Sequence, residues 1–228
     1  MITSSRWRRG ATALAALALA LVPAAAPASA TPVTVSVPAV VSPLRQLPEP
    51  PPADQVRAEL DELVVEAPHS MDGYSRAKFP HWAIQFGTCD TREVVLARDG
   101  ADVVQDGQCR AVAGSWVSVY DGRVLTAASQ VDIDHMVPLA AAWRSGADGW
   151  DTAKRKAFAN DLEHSQLVAV SAASNRSKAD KSPDTWKPPA TGYWCEYSRA
   201  WTDVKHVYGL SVTEPEKTAL VEMLDTCA

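Results

Sequence analysis

The chain predicts an α+β domain, and three observations carry that expectation. Short runs rich in β-branched residues alternate with segments whose apolar residues recur at helical spacing, so short strands and several helices are mixed along the chain. Capping residues mark several helix starts, notably Thr213 followed by Glu216. All four cysteines, Cys89, Cys109, Cys195 and Cys227, fall in the part of the chain that carries these signals.

The first thirty residues stand apart. Arg6, Arg8 and Arg9 precede the apolar run "ATALAALALALV", and "ASA" ends at Ala30. That order predicts a secretory signal peptide over residues 1–30. A membrane anchor is the rival reading, but the run is too short to span a bilayer. Residues 31–53 are rich in proline, valine and alanine, end in "LPEPPP", and read as an extended linker or pro-segment. Residues 54–228 fit one domain with a sizeable core, without internal repeats. No later segment is apolar enough to cross a membrane, so the mature chain is expected to be soluble, secreted and free of membrane contact.

Within the domain, "DQVRAELDELVVEA" (54–67) has helical spacing with Asp54 as N-cap, and "GYSRAKFPHW" crowds aromatic, basic and histidine residues together. "REVVLARD" (92–99) reads as a strand on its β-branched centre. "GSWVSVYDGRVLT" (114–126) reads as a strand pair about an Asp121-Gly122 turn. "VDIDHMV" is a further strand, closed by Pro138. "PLAAAWRSG" is a short helix stopped at Gly146, and Asp151 caps the next one, "TAKRKAFANDL". "SQLVAV" is a short strand running into the helix start "SAASNRSKADK". "EYSRAWTDVKHVY" and "TEPEKTALVEMLDTC" are the last two helices.

For an exported chain, four cysteines predict two disulfides. Sequence alone allows three pairings. Cys89 with Cys109 and Cys195 with Cys227 is preferred because each closes a local loop, and the second would staple the last two helices. A four-thiolate zinc site is the rival, but no C-x-x-C spacing supports it. The formal charge of −5 argues mildly against a partner held by charge alone, such as nucleic acid bound without specificity.

The stretch "DIDH" places two carboxylates and an imidazole in an apolar strand. Alternation puts Asp132 and Asp134 on one face and His135 with Ile133 on the other. A buried strand whose polar groups are satisfied by hydrogen bonds would explain this pair alone. A second piece, "LVAVSAASNRSKADKSP", lies about forty residues on and carries Asn175 early in a helix. Strand, loop, strand and helix then form a unit that could hold one divalent cation between Asp134 and Asn175. His135 would reach that cleft only if alternation breaks near Pro138. Hard oxygen donors suit Mg²⁺ or Mn²⁺.

"DIDHMVP…NRSKADKSP" resembles the HNH endonuclease superfamily, the ββα-metal or His-Me finger nucleases, and more narrowly the secreted actinobacterial HNH proteins. The core of the likeness spans residues 131–189, and "GYSRAKFPHW", "CDTREVVLARD" and "FANDL" extend it. The resemblance implies a ββα-metal core inside a small mixed domain with added helices. It makes His135 the general base, Asp134 and Asn175 metal ligands, and Mg²⁺ the expected ion. Gln166 stands where the family has an asparagine that orients the catalytic histidine. It is one methylene longer, and His164 or Asn160 are alternatives for that place.

Candidate phosphate-binding residues are Arg176, Lys178 and Lys181, with Arg92 and the run Lys154, Arg155 and Lys156; solvated faces are the plainer reading of the run. His81 and Trp82 could line the cleft. The other tryptophans read as packing, with base stacking an alternative for one of them. The implied function is a secreted, monomeric, metal-dependent endonuclease cutting DNA, and RNA as a second polymer, with low sequence specificity. A different metal-dependent phosphoesterase and a non-catalytic secreted binding protein on a relic scaffold are the alternatives.

Overall fold

Residues 47–227 are described by a computed structural model; the expected signal peptide and residues 31–46 of the Pro-rich segment lie outside the described residues. In chain order the first elements are α1 (Ala53–Glu62), β1 (Ile84–Phe86), β2 (Cys89–Asp90), α2 (Thr91–Asp99), β3 (Ala101–Gln105), β4 (Ala111–Val117) and β5 (Val124–Leu125). There follow β6 (Val131–His135), α3 (Leu139–Arg144), α4 (Thr152–Ala159), β7 (Leu167–Ser171), α5 (Ala172–Lys178), α6 (Trp194–Tyr208) and α7 (Glu214–Leu224). Helices and three small antiparallel sheets are mixed, which is the α+β class expected.

The sheets are the pair β1-β2, the triplet β3-β4-β5 and the hairpin β6-β7. The last is buried on both faces. Val131, Ile133, Leu167 and Ala169 pack with Val95 and Leu96 of α2 and Trp116 of β4. Val168 and Val170 face the larger core built from α1, α3, α4, α6 and α7. A strand covered on both sides needs an almost unbroken apolar run, which "LVAV" supplies. The free edge of β7 is covered too. Arg98 donates to the Leu167 carbonyl, and Asp99 Oδ2 accepts from the Ala169 N–H at 2.9 Å. A blunted edge cannot recruit a further strand.

"REVVLARD" is a helix, not the strand expected. Asp90 accepts from the Glu93 N–H at 2.9 Å, and the buried residues Thr91, Val95 and Leu96 repeat at helical spacing. The cap and the buried face outweigh the modest strand preference of two valines. The first helix ends earlier than expected. Leu63 turns extended, Val65 bridges Val212, and Pro52 rather than Asp54 is the N-cap. Asp151 caps α4 through the Lys154 N–H at 2.7 Å, Gly146 adopts φ +113° beyond α3, and Thr213 with Glu216 forms a full capping box on α7. Disulfides join Cys89 to Cys109 and Cys195 to Cys227, tying β2 to the β3-β4 hairpin and α6 to the chain beyond α7.

Candidate active site

β6 and β7 pair without a bulge, Val131 opposite Ser171 through His135 opposite Leu167. The chain then turns directly into α5, whose N-cap Ser171 accepts from the Ser174 N–H. The Asp121 Oδ2 at the turn before β5 accepts from the hydroxyls of Ser171 and Ser174 at 2.6 and 2.8 Å, pinning the start of α5. This hairpin and helix bring Asp134, His135, Asn175 and Arg176 to the lining of one cavity of about 340 Å³, together with Arg76 and Tyr74.

Asp134 is buried, and one of its oxygens is engaged twice. Oδ2 accepts from the Tyr120 hydroxyl at 2.6 Å and from Lys178 Nζ at 2.6 Å. Lys178 also donates to the His135 carbonyl at 2.8 Å. Burial pushes the Asp134 carboxyl up from its ordinary range and the Lys178 ammonium down, each opposed by the other's charge. Burial pushes the Tyr120 phenol well above its usual range, so it stays protonated and donates. Oδ1 of Asp134 accepts no hydrogen bond among the described residues.

His135 is held on the other side of the strand end. Its Nε2 lies 3.0 Å from the Ala159 carbonyl, and its ring sits 5.8 Å from that of Trp82. A carbonyl only accepts, so Nε2 carries the proton and the neutral ring presents a bare Nδ1. Burial lowers the imidazole pKa to about 3; the Ala159 bond opposes this, and the charges of Arg76, His81 and Lys178 add to it. Strand alternation does not break, as was expected to be necessary. Asp134 and His135 leave opposite faces, and both border the cavity because β6 ends there.

Asn175 donates from Nδ2 to Asp132 Oδ2 at 3.1 Å, which commits the amide's nitrogen and leaves its oxygen unbonded among the described residues. The donors then available are two hard oxygens, Asp134 Oδ1 and Asn175 Oδ1. They fit a hard cation that keeps most of its water and takes one carboxylate. Among the described residues no three His, Cys, Asp or Glu side chains converge, and no cysteine is free, so the donor set does not fit zinc held by nitrogen and sulfur.

Other sequence expectations are corrected. Gln166 is fully buried, but its side chain makes no hydrogen bond to the His135 ring. Its Nε2 donates to the Val137 carbonyl at 3.0 Å and its Oε1 accepts from the Val137 N–H at 3.1 Å, so it clamps the main chain two residues on. Neither alternative orients the ring by its side chain. Asn160 bonds Ala83, Thr91 and Pro80, and His164 bonds Asp161. Lys178 is wholly buried against Asp134 and cannot meet a phosphate in solution. Arg92 donates to the Ala128 and Val131 carbonyls at 3.2 and 3.0 Å, tying α2 to the start of β6. Lys181 is exposed, with Nζ on the Ser177 carbonyl at 2.8 Å. Lys154 and Arg155 are spent on carbonyls and tryptophan faces. Arg176 alone of the cations named stays at the cavity, 79% exposed and 4.0 Å from Asp132.

Sequence reasoning missed Tyr120 and Arg76. The crowding of "GYSRAKFPHW" was the signal for Arg76, though nothing in it singled out that residue. Tyr120 had no signal beyond its place before the Asp121-Gly122 turn. Two residues at the site also have left-handed backbones that L side chains rarely adopt: Trp82 at φ 58° and Ala179 at φ 53°. Such conformations persist where surrounding structure enforces them, and they gather at functional sites.

A buried hairpin running into a helix, with a carboxylate, an imidazole and an amide around one cavity, defines the class. Residues 102–223 match the family described as GmrSD restriction endonucleases, C-terminal domain, and the chain belongs to that HNH-type nuclease family. The match spans Tyr120, Asp134, His135, Gln166, Asn175 and Lys178 and leaves Arg76 and Trp82 outside. A relative in Arthroderma benhamiae, described as an uncharacterized secreted protein, is 53% identical over 193 residues, covering 85% of this chain and 95% of that one. No solved structure matches. No described helix is long and apolar enough to cross a membrane.

Proposed function

We propose that this chain is a secreted, divalent-metal-dependent HNH endonuclease that hydrolyses phosphodiester bonds of DNA with low sequence specificity and acts on RNA as a second substrate. The observation that carries this reading is the fixed His135 ring, with Nε2 on the Ala159 carbonyl and no hydrogen bond to Nδ1 among the described residues, in a residue that lines the same cavity as Asp134 and Asn175. The ββα-metal core is β6, β7 and α5. Family membership supports the reaction class, and the secreted relative supports export.

In this mechanism His135 Nδ1 takes the proton from the water that attacks phosphorus. The Ala159 carbonyl holds the ring and stabilises the imidazolium that forms. Asp132 turns the Asn175 amide so that its oxygen, with Asp134 Oδ1, would hold the cation, Mg²⁺ by the hardness of its donors. When bound, the cation supplies positive charge for the pentacovalent phosphorus and the leaving 3′ oxygen. Arg76 and Arg176 attract the phosphate backbone at the cavity mouth.

Purified protein incubated with plasmid DNA and with RNA, across Mg²⁺, Mn²⁺, Ca²⁺ and Zn²⁺ and with EDTA, tests the reading. Cleavage should need the divalent ion, and His135→Ala should cut about 10²–10⁴-fold more slowly while remaining folded. A variant within about tenfold of the parent would remove His135 from the role. The salt bridge that already occupies Asp134 favours a second reading, a non-catalytic secreted binding protein. Nucleic acid retained but uncut under every metal would favour that one.

A further inference from the structure

Asp134 reaches its cavity through a carboxylate that already has a cation. Lys178 Nζ sits 2.6 Å from Oδ2 with no part of its side chain exposed, and Tyr120 donates to the same oxygen at 2.6 Å. A carboxylate oxygen holding two such donors has little left for a third partner. A divalent ion can therefore approach Asp134 through Oδ1 alone, and it meets the ammonium's repulsion as it does so. Lys178 is itself fixed by the His135 carbonyl at 2.8 Å and lies over the Trp201 ring at 5.7 Å, so it cannot swing away.

Resting on the reading of Asp134 as a metal ligand, we infer that Lys178 is a resident counter-ion: a positioning residue that restricts Asp134 to one ligating oxygen and holds divalent-cation affinity low. The same contact serves the fold. It neutralises a carboxylate that burial would otherwise make costly whenever no cation is bound. With Lys178 in place, the protein supplies two oxygens and part of one negative charge. The remaining attraction for the ion has to come from the substrate's phosphate, so cation and nucleic acid enter the site together.

Removing the ammonium while keeping a hydrogen-bond donor tests this. Mn²⁺ binding to the full chain and to Lys178→Gln, read by electron paramagnetic resonance of the free ion, should show the variant binding at least about tenfold more tightly. Mn²⁺ should also raise its melting temperature more than that of the parent chain. A residue with only a structural role would give the opposite sign, because a loosened site binds more weakly. Tyr120→Phe removes an uncharged donor from the same oxygen and should change affinity by less than about threefold.

If Lys178→Gln does not fold alone, Mn²⁺ should restore its folded state along the titration; failure of rescue overturns the inference. A folded variant that binds Mn²⁺ no more tightly than a parent chain that does bind it and does cut DNA overturns the inference alone. If neither chain binds Mn²⁺ and neither cuts DNA, the nuclease reading falls and this inference falls with it.

Discussion

The His135 imidazole is unusual in being buried neutral, and its depressed pKa of about 3 has a consequence for stability. In the unfolded chain the same ring titrates near its ordinary value of 6.5. Below that pH the unfolded state takes up a proton that the folded state refuses until about pH 3. The burial of neutral His135 therefore contributes fully above about pH 6.5, and its contribution is lost as pH falls toward about 3. Between pH 7 and pH 4.5 the loss is about 2–3 kcal/mol at roughly 1.4 kcal/mol per pH unit. His135→Gln cannot titrate, so its urea unfolding free energy should fall less than the parent's by about that amount over the same interval. Parallel pH curves for the two proteins would show that the folded ring takes up its proton as readily as the unfolded one. The same neutrality keeps Nδ1 unprotonated across the whole neutral range, so activity should show no loss near pH 6 from protonation of this residue.

At the scale of elements, the site depends on where α5 begins. Asp121 lies at a turn that the Asp-Gly pair marks in the sequence, and its carboxylate takes on a second task, binding the hydroxyls of Ser171 and Ser174. Asp121→Ala leaves two buried hydroxyls without their acceptor and should cost about 1–3 kcal/mol in denaturant unfolding. Ser171→Ala removes the N-cap and one of the same bonds, for about 1 kcal/mol. The two changes share a network, so the double variant should lose less than their sum. Strict additivity would mean that the Asp121 carboxylate does not hold α5. Much of this architecture was legible because its signals are local: the apolar run of β7, Asp151 at α4, the capping box at α7. The helix at 91–99 is not, because Val94-Val95-Leu96 reads equally as a strand and its cap, Asp90, lies ahead of that run. β3 has a weaker signal, the Asp106-Gly107 turn of its hairpin with β4. The motif residues Asp134, His135 and Asn175 gather as their spacing implied. Lys178 and Arg92 were misjudged, since the sign of a charge says nothing of whether folding buries it.

For the molecule as a whole, charge and site pull in opposite directions. The chain carries 27 acidic against 22 basic residues, a net charge of −5. Folding spends many of those cations internally. Lys178 and Lys205 are buried in ion pairs, and Arg92, Arg98 and Arg155 are taken up by backbone carbonyls. At the cavity that leaves Arg76 and Arg176, with the exposed Lys181 three residues beyond the end of α5 and outside the cavity lining. A nuclease built this way neutralises about two or three phosphates, against six to ten for a protein that clasps duplex DNA along a basic face. Each neutralised phosphate contributes about −0.9 to the slope of log K against log salt. Binding of uncleaved DNA, measured with His135→Ala between about 50 and 200 mM salt, should give a slope of about −2 to −3. Arg176→Ala should reduce that slope by about one and weaken binding alike for every sequence tested. A slope steeper than about −5 would require more cations than line this cavity. The DNA would then have to be held somewhere other than the mouth of this cavity.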